Sequence, residues 1–260
     1  MLKILKPMKT LTVDQLSVSI YPTAGALGKA AAQQVALDLN ETVRTLGKAR
    51  LILATGTSQF QFLEHLQKET LPWDRITVFH LDEYVGIAAD HPASFRHYLK
   101  TRILEFVKPK KVFYLHGDAP SIAAEIERYS AALSKHPIDV ACIGIGENGH
   151  LAFNDPGVAN FKDPLLVKKV MLDQECRQQQ FHEGWFDSLE TVPKEALTLT
   201  IPAIMNALRI CCVVPDTRKA KAVHQALKGA ISENCPASVL RRHPNAKLFL
   251  DKAAATLIED

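Results

Sequence analysis

Short apolar segments alternate along this chain with longer segments of helical periodicity. The apolar segments have the length of buried strands and lie at 50–54, 76–81, 112–115, 140–145, 197–200, 210–214 and 247–250. Between them, apolar residues recur at helical spacing, which predicts helices over 23–46, 59–68, 92–107, 120–133 and 216–227. Alternation of this kind is typical of an α/β protein, so we predict a mostly parallel sheet with helices on both faces.

One long segment departs from this pattern. Residues 157–190 are polar, and Gly157, Pro164 and Gly184 interrupt them. We expect irregular backbone here, either as a lid beside a site or as a plain surface excursion.

Composition restricts the class of protein further. The chain has 260 residues, 47% of them hydrophobic and 23% charged, which suits one domain over residues 1–260. No apolar run is long enough to cross a bilayer, and the first residues lack the pattern of a signal peptide. The five cysteines form no CxxC pair. We therefore expect reduced thiols, no metal site, no membrane partner and a cytoplasmic location.

Charge gives a hint about the partner. The formal net charge is only +3, and the basic clusters at 108–111, 218–221 and 241–242 are short. A nucleic-acid-binding surface needs a longer basic stripe. Clusters of this size suit a phosphate or a carboxylate, so we expect a small anionic ligand and no nucleic acid.

A glycine-rich turn follows the strand predicted at 140–145. Gly144, Gly146 and Gly149 allow a sharp turn and leave backbone N–H groups accessible. Their spacing matches the GxGxxG fingerprint of dinucleotide-binding proteins, which also requires a long helix directly after the glycines. Pro156 interrupts the segment before such a helix can form. A dinucleotide site is therefore disfavoured.

Three polar side chains lie within this turn. Asn148, His150 and Asp155 place an amide, an imidazole and a carboxylate close together in sequence. A histidine oriented by a carboxylate can transfer protons near neutral pH. The alternative is a buried histidine that only bonds the backbone. The carboxyl end of a parallel strand is a usual ligand position in α/β proteins, which favours the proton-transfer role.

Two further strand ends carry candidate residues. The turn 55–58 joins a strand to a helix, and Lys219 lies near the start of the last long helix. N–H groups and hydroxyls at a helix start attract anions, and a lysine there is favourable when an anion is also present. The alternatives are a simple helix cap and a solvated lysine.

A pair of carboxylates ends another strand. Asp82 and Glu83 are adjacent, so their side chains point to opposite sides if the strand continues, and at most one faces the cleft. A carboxylate in this position can act as a general base on carbon. A helix cap or a surface pair is the competing interpretation.

These segments together resemble one known family. The run Phe-His-Leu-Asp-Glu-Tyr-Val-Gly at 79–86 and the run at 144–156 are similar to the catalytic turns of glucosamine-6-phosphate deaminases (isomerases). The segments 53–58, 192–198 and 218–220 match in order and spacing, so the resemblance covers roughly residues 25–250. The related 6-phosphogluconolactonases share the fold and a Gly-x-Gly-x-x-Gly-His loop, but not the Asp-Glu-Tyr-Val-Gly run.

The resemblance implies a modified Rossmann-like fold and a cofactor-free reaction, in which glucosamine 6-phosphate and water give fructose 6-phosphate and ammonia. Asp82 would be the enolisation base that moves a proton between C2 and C1. His150 would open the sugar ring, with Asn148 and Asp155 orienting the imidazole. Substrate or phosphate binding would fall to Thr55, Gly56, Thr57, Ser58, Glu83, Gly144, Gly146 and Lys219.

The sequence departs from the family pattern at several positions. Asp155 stands where glutamate is usual, and the shorter side chain is expected to lie about an ångström farther from the histidine. Asn148 stands where many members have aspartate. A phosphate-binding arginine is expected near 177–182, where only Arg177 or His182 could substitute. Basic residues of the allosteric site of some members are not evident around 157–168. These departures fall in substrate-binding regions, so the sugar could differ from glucosamine 6-phosphate.

Two other functions remain open from sequence. One is hydrolysis of a sugar-phosphate lactone, which needs no carbon base at Asp82. The other is non-catalytic binding of a sugar phosphate, as in the effector domains of some transcription regulators, although no helix-turn-helix precedes residue 23. A homo-oligomer is compatible with either.

Overall fold

Six of the seven apolar segments contribute strands to one large sheet. The computed structural model describes residues 5–172, 174–182 and 184–258. The strands of the large sheet are β1 (Lys9–Val13), β2 (Leu16–Tyr21), β3 (Ala49–Leu53), β4 (Ile76–His80), β6 (Lys111–Phe113), β7 (Val140–Ile143), β10 (Ile210–Val214) and β11 (Ala246–Asp251). Their order across the sheet is β1-β2-β11-β10-β7-β3-β4-β6, and all pairings are parallel except that of β1 with β2.

A second, smaller sheet supplies one edge of the site. Its strands are β5 (Asp82–Tyr84), β8 (Val167–Met171) and β9 (Glu195–Leu199). They have the order β5-β9-β8, and both pairings are antiparallel. The chain therefore leaves the large sheet after β4 and enters the small one within two residues.

Helices connect the strands. The α-helices are α1 (Ala24–Leu46), α2 (Phe60–Leu66), α3 (Phe95–Leu99), α4 (Glu105–Val107), α5 (Ile122–Ser134), α6 (Gln174–His182), α7 (Ile201–Met205) and α8 (Ala220–Lys228). A π-helical turn at Lys100–Leu104 joins α3 to α4. Shorter 3₁₀ turns lie at Thr57–Gln59, Trp73–Arg75, Thr217–Lys219 and Pro236–Arg242.

The first helix shows how local sequence sets these elements. The Thr23 hydroxyl accepts a hydrogen bond from the first turn of α1, and Gly47 ends the helix with φ 72°. Gly28 faces α2 so closely that a Cβ there would lie 2.7 Å from the carbonyl carbon of Gln61. Glycine at this position therefore lets the backbones of α1 and α2 approach each other.

The large sheet has a buried core on each face. Along β3, Leu51 and Leu53 pack against α1 and α2, whereas Ile52 packs on the opposite side with residues of α5 and α8. Alternation of side chains along a strand produces this division. The predicted fold class, a mostly parallel sheet covered by helices on both faces, is confirmed.

The expectation of irregular backbone over 157–190 is wrong. This segment contains β8 and α6. The apolar pattern does not reveal β8, because this strand carries Lys168 and Lys169. It does not reveal α6 either, because the residues of this helix are mostly polar. The search for continuous apolar runs also misses β1 and β2, although their alternating polar and apolar residues are typical of a half-buried strand, and it misses β5, which is only three residues long. No helix within the described residues is long and apolar enough to cross a membrane.

The strand order reverses direction between β3 and β7, since the chain proceeds from β3 toward β6 and later returns to β7 beside β3. Open α/β sheets bind ligands at such a switch point, outside the carboxyl ends of the strands. The loops that follow β3, β4, β7 and β10 all contribute residues to one cavity there.

Candidate active site

A cavity of about 100 Å³ lies at the switch point. It brings together most of the residues that the sequence singled out: Thr55, Gly56, Thr57, Ser58, Asp82, Gly144, Gly146, His150 and Lys219. Asn148 and Asp155 lie behind His150, and Glu83 lies outside the cavity.

The loop after β3 borders one part of the cavity. Gly56 has φ 97°, a backbone conformation that favours glycine, and the 3₁₀ turn Thr57–Gln59 follows it directly. The Tyr98 hydroxyl donates to the Gly56 carbonyl over 2.8 Å, and the buried Gln59 amide donates to the Val213 carbonyl over 3.3 Å. These bonds fix the loop to α3 and to β10, so its hydroxyls and N–H groups present a preformed polar surface.

Lys219 places a cation on the same surface. It ends the 3₁₀ turn that starts α8, and only 8% of the residue is exposed. The Asp216 side chain accepts from the Arg218 N–H over 3.0 Å and fixes the turn. Arg218 also lies 3.6 Å from the carboxylate of Glu147 in the glycine-rich turn. A mostly buried ammonium beside exposed N–H groups and hydroxyls suits an anionic group such as phosphate.

The turn at residues 150–155, which we call the histidine turn, holds the imidazole. His150 Nδ1 lies 2.7 Å from Asp155 Oδ1, and the Asn148 amide donates to the same oxygen over 2.8 Å. The Asn148 carbonyl oxygen accepts from the His150 N–H over 3.0 Å. The expectation that the shorter Asp155 lies too far from the histidine is wrong, because the turn brings its carboxylate to full hydrogen-bond distance.

The ionisation of Asp155 follows from these contacts. Burial opposes its charged form, but the hydrogen bonds from His150 and Asn148 outweigh burial, and the pKa of Asp155 is lowered from its usual value. The carboxylate therefore stays ionised at neutral pH and holds Nδ1, which leaves Nε2 as the nitrogen available for proton transfer.

Gly146 is needed for the position of this ring. A Cβ at Gly146 would lie 2.2 Å from His150 Nε2, far inside van der Waals contact. The Gly146 N–H donates to the His150 carbonyl over 3.0 Å. Any side chain at position 146 would overlap the imidazole, so the histidine ring requires glycine here. The GxGxxG fingerprint alone does not reveal this requirement.

Asp82 lines the cavity at the start of β5. Its Oδ1 is buried and has no hydrogen-bond partner within the described chain. Burial, with a smaller contribution from the charge of Glu83, raises the pKa of Asp82 well above its usual value. A desolvated carboxylate with a raised pKa is a stronger base than an exposed one, which suits proton abstraction from carbon.

The substrate-binding role predicted for Glu83 is corrected by its contacts. Its carboxylate accepts from the Ser94 hydroxyl over 2.8 Å, from the N–H groups of Tyr84, Phe95 and Arg96, and from Arg96 Nε over 3.3 Å. Glu83 is fully buried and does not line the cavity. It holds the start of α3, and the two adjacent carboxylates point to opposite sides, as the sequence predicted.

Thr198 of β9 connects Asp82 to the histidine turn. It pairs with Asp82 in the small sheet, and its hydroxyl accepts from the Phe153 N–H over 3.1 Å. The Asn154 amide donates to the neighbouring Leu199 carbonyl over 2.8 Å. The base and the imidazole are thus positioned against one common strand.

The segment 177–182, expected to supply a phosphate-binding arginine, does not bring Arg177 to the cavity. The Arg177 guanidinium donates to the backbone carbonyls of Leu189 and Val192 and does not line the cavity. The His182 side chain lies outside the described residues. Gln180 and Trp185 do line the cavity, and sequence analysis missed both. Nothing in the polar composition of 174–182 distinguishes Gln180 from its neighbours.

Other chemically reactive side chains are buried away from the cavity. Burial, with Arg96 and His116 adding to it, lowers the pKa of His80 to about 3, so this imidazole is neutral. Cys142, Cys211, Cys212 and Cys235 are buried free thiols. Within the described residues no cluster of three potential metal ligands is found.

Comparison with known proteins shows the family of this chain. The family described as glucosamine-6-phosphate isomerases/6-phosphogluconolactonase matches residues 22–249. The glucosamine-6-phosphate deaminase of Listeria innocua is 37% identical over 88% of this chain and 97% of that protein. That of Bacillus thuringiensis is 35% identical over 85% of this chain and 83% of that protein.

Solved structures are similar as well. A monomeric glucosamine-6-phosphate deaminase shares 33% identity at a TM-score of 0.83, over 92% of this chain and 99% of that one. A 6-phosphogluconolactonase from Shewanella baltica shares 21% identity at a TM-score of 0.73, over 93% of this chain and 97% of that one. The second similarity is one of fold.

Proposed function

Because this chain belongs to the family of glucosamine-6-phosphate isomerases and 6-phosphogluconolactonases, as its motifs predicted, we propose that it converts glucosamine 6-phosphate and water to fructose 6-phosphate and ammonia. The observation that carries the proposal is one cavity lined by Asp82, by His150 and by the polar loop 55–58 with Lys219. We further propose a single domain and a cytoplasmic location, which the buried free thiols support.

His150 performs the first step. Opening the sugar ring breaks the bond between C1 and the ring oxygen, which gains a proton while the C1 hydroxyl loses one. His150 lines the cavity and Asp155 holds Nδ1 of the imidazole, so Nε2 is the nitrogen that transfers that proton. The product is an open-chain aldehyde, which makes the hydrogen on C2 acidic.

Asp82 performs the second step. Its carboxylate takes the proton from C2 while the aldehyde oxygen on C1 gains a proton, giving an enolamine. The carboxylate then returns its proton to C1 while the nitrogen loses a proton, giving an imine at C2. Water then adds to C2 and ammonia leaves, so that the atoms balance. One carboxylate can serve both carbons because they are adjacent, provided that the phosphate group at Lys219 and the loop 55–58 holds the sugar in place.

The test compares two substrates. We expect the purified protein to release ammonia from glucosamine 6-phosphate in a coupled assay, and to hydrolyse 6-phosphogluconolactone no faster than buffer does. A protein that hydrolyses the lactone and releases no ammonia would be a lactonase on the same fold. A protein that binds fructose 6-phosphate and turns over neither substrate would be a sugar-phosphate-binding protein.

Lys219→Met is expected to raise KM for the sugar phosphate by roughly 10- to 100-fold, with a smaller change in kcat, because one charge-assisted hydrogen bond to the phosphate is lost. Steady-state kinetics measure this split. Lys221→Met, an exposed lysine on the same helix, is the matched control and should change KM less than about twofold. Equal KM values for both variants would remove Lys219 from the phosphate site.

The pH dependence of kcat/KM should reflect the raised pKa of the buried Asp82. Below its pKa the carboxyl group is protonated and cannot accept the C2 proton. Because that pKa is raised well above 3.8, kcat/KM should fall as the pH decreases through a value well above 3.8. Kinetics from pH 4 to 9, with the folded fraction monitored by circular dichroism, test this. An acid limb near the usual value for aspartate would contradict the assigned environment.

A further inference from the structure

We propose that Gln180 is a specificity-determining residue whose side-chain amide donates a hydrogen bond to a sugar hydroxyl of the bound hexose phosphate. This inference rests on the proposed function and extends it. The resemblance places a phosphate-binding arginine near 177–182, but neither the motifs nor the comparisons assign a role to Gln180. Gln180 is half-buried and lines the cavity together with Trp185. An amide beside an aromatic ring is a common arrangement where a pocket holds a polar ligand.

The orientation of the amide follows from one short contact. Gln180 Oε1 accepts a hydrogen bond from the Tyr84 hydroxyl over 2.6 Å. With its oxygen engaged in this way, the amide presents its Nε2 group as the donor. Within the described part of the chain, no hydrogen bond of Gln180 Nε2 is found. The donor is therefore available to a ligand in the cavity.

The position of Tyr84 indicates which part of the ligand is near. Tyr84 lies two residues after Asp82 on β5, so both side chains leave the same face of the strand. The tyrosine ring is held by Phe95, Phe153 and Phe186, with ring centroids 4.9–5.5 Å apart. Gln180 is thus bonded to a tyrosine that packs in an aromatic cluster, on the strand that carries the base.

The polar surface for phosphate belongs to other elements. Lys219 and the loop 55–58 follow β10 and β3 of the large sheet, whereas Gln180 is attached to β5 of the small sheet. If the phosphate group binds at Lys219 and the loop 55–58, Gln180 faces the carbon chain of the sugar and the hydroxyl groups on that chain. Gln180 therefore contributes to recognition of the sugar and not of the phosphate.

The test separates sugar from phosphate by calorimetric titration with fructose 6-phosphate and with inorganic phosphate. Gln180→Leu has a similar size and lacks the donor, so we expect a roughly 3- to 10-fold weaker Kd for fructose 6-phosphate. The Kd for inorganic phosphate should change less than about twofold. Tyr84→Phe, which frees the amide oxygen, should reproduce part of the sugar-specific loss.

Gln178→Leu is the matched control, because Gln178 is exposed on the same helix. It should leave both constants unchanged. If Gln180→Leu does not fold, Gln180→Glu replaces it, with Gln178→Glu as the control for added charge, and the ratio of the two dissociation constants is compared. Equal weakening of both ligands, or unchanged binding of the sugar phosphate, would overturn the inference.

These outcomes differ from failure of the proposed function. If the protein binds fructose 6-phosphate in a way that depends on Gln180 but releases no ammonia, the proposed deaminase activity is rejected and the proposed role of Gln180 stands. Ammonia release that Gln180→Leu leaves unchanged in both kcat and KM rejects the inference alone. A wild-type protein that binds inorganic phosphate but not fructose 6-phosphate rejects both.

Discussion

Asp82→Asn is expected to lower kcat by about 10³- to 10⁴-fold while KM changes less than about threefold. General-base catalysis by a positioned group contributes about 10²- to 10⁴-fold, and the upper part of that range applies because the amide cannot accept the C2 proton. No other carboxylate lines the cavity among the described residues. Asparagine has nearly the same shape, so binding and folding should persist.

Two measurements make this prediction specific. Asp90→Asn removes an exposed carboxylate from the loop after β5 and should keep nearly full activity. Incubation of fructose 6-phosphate with ammonia in D₂O should introduce deuterium at C1 with the wild-type protein and not with Asp82→Asn. Retention of kcat within about tenfold, or continued exchange at C1, would assign the proton transfer to another group.

Arg96→Met is expected to destabilise the fold by about 3–5 kcal/mol, because it removes one partner of a buried ion pair. The Arg96 side chain is 6% exposed and that of Glu83 is fully buried, with 3.3 Å between Arg96 Nε and Glu83 Oε2. The same guanidinium donates to Asp118 over 2.8 Å and to the Ile87 carbonyl over 2.7 Å. For a chain of this length, the melting temperature should fall by about 6–20 °C.

The control is an exposed pair of the same chemistry. Arg75 and Asp74 lie 3.6 Å apart with side chains 58% and 80% exposed. Arg75→Met should therefore cost less than about 1 kcal/mol. Calorimetric melting of both variants gives the comparison. Similar losses would mean that burial does not determine the contribution of the Arg96–Glu83 pair.

Sequence predicted the part of the site that depends on topology. The loop 55–58, Asp82, His150 and Lys219 all follow strands whose carboxyl ends share one edge of the sheet, so their convergence follows from a parallel order. The motifs then identified the family. What topology alone does not determine is the separation of Asp82 from His150, which depends on how the small sheet is placed.

The errors have a common physical cause, since tertiary contacts decided each of them. The sequence assigns Glu83 to the substrate because it does not show that α3 begins beside this residue and needs its carboxylate. The histidine turn adjusts so that Asp155 reaches the imidazole despite its shorter side chain. The Gln180 side chain that lines the cavity is held by a hydrogen bond from the Tyr84 hydroxyl, and no local pattern in the sequence encodes that contact.

The position of Thr198 in the small sheet makes the activity sensitive to the register of β9 during evolution. The Thr198 backbone pairs with that of Asp82, and its hydroxyl accepts a hydrogen bond from the histidine turn, although Thr198 supplies no group to the reaction. Sliding β9 by a single residue would turn this hydroxyl to the opposite face and release the anchored segment. Insertions or deletions in the segments that flank β9 would then silence turnover while every reactive side chain remained present, so an intact motif does not guarantee a working enzyme.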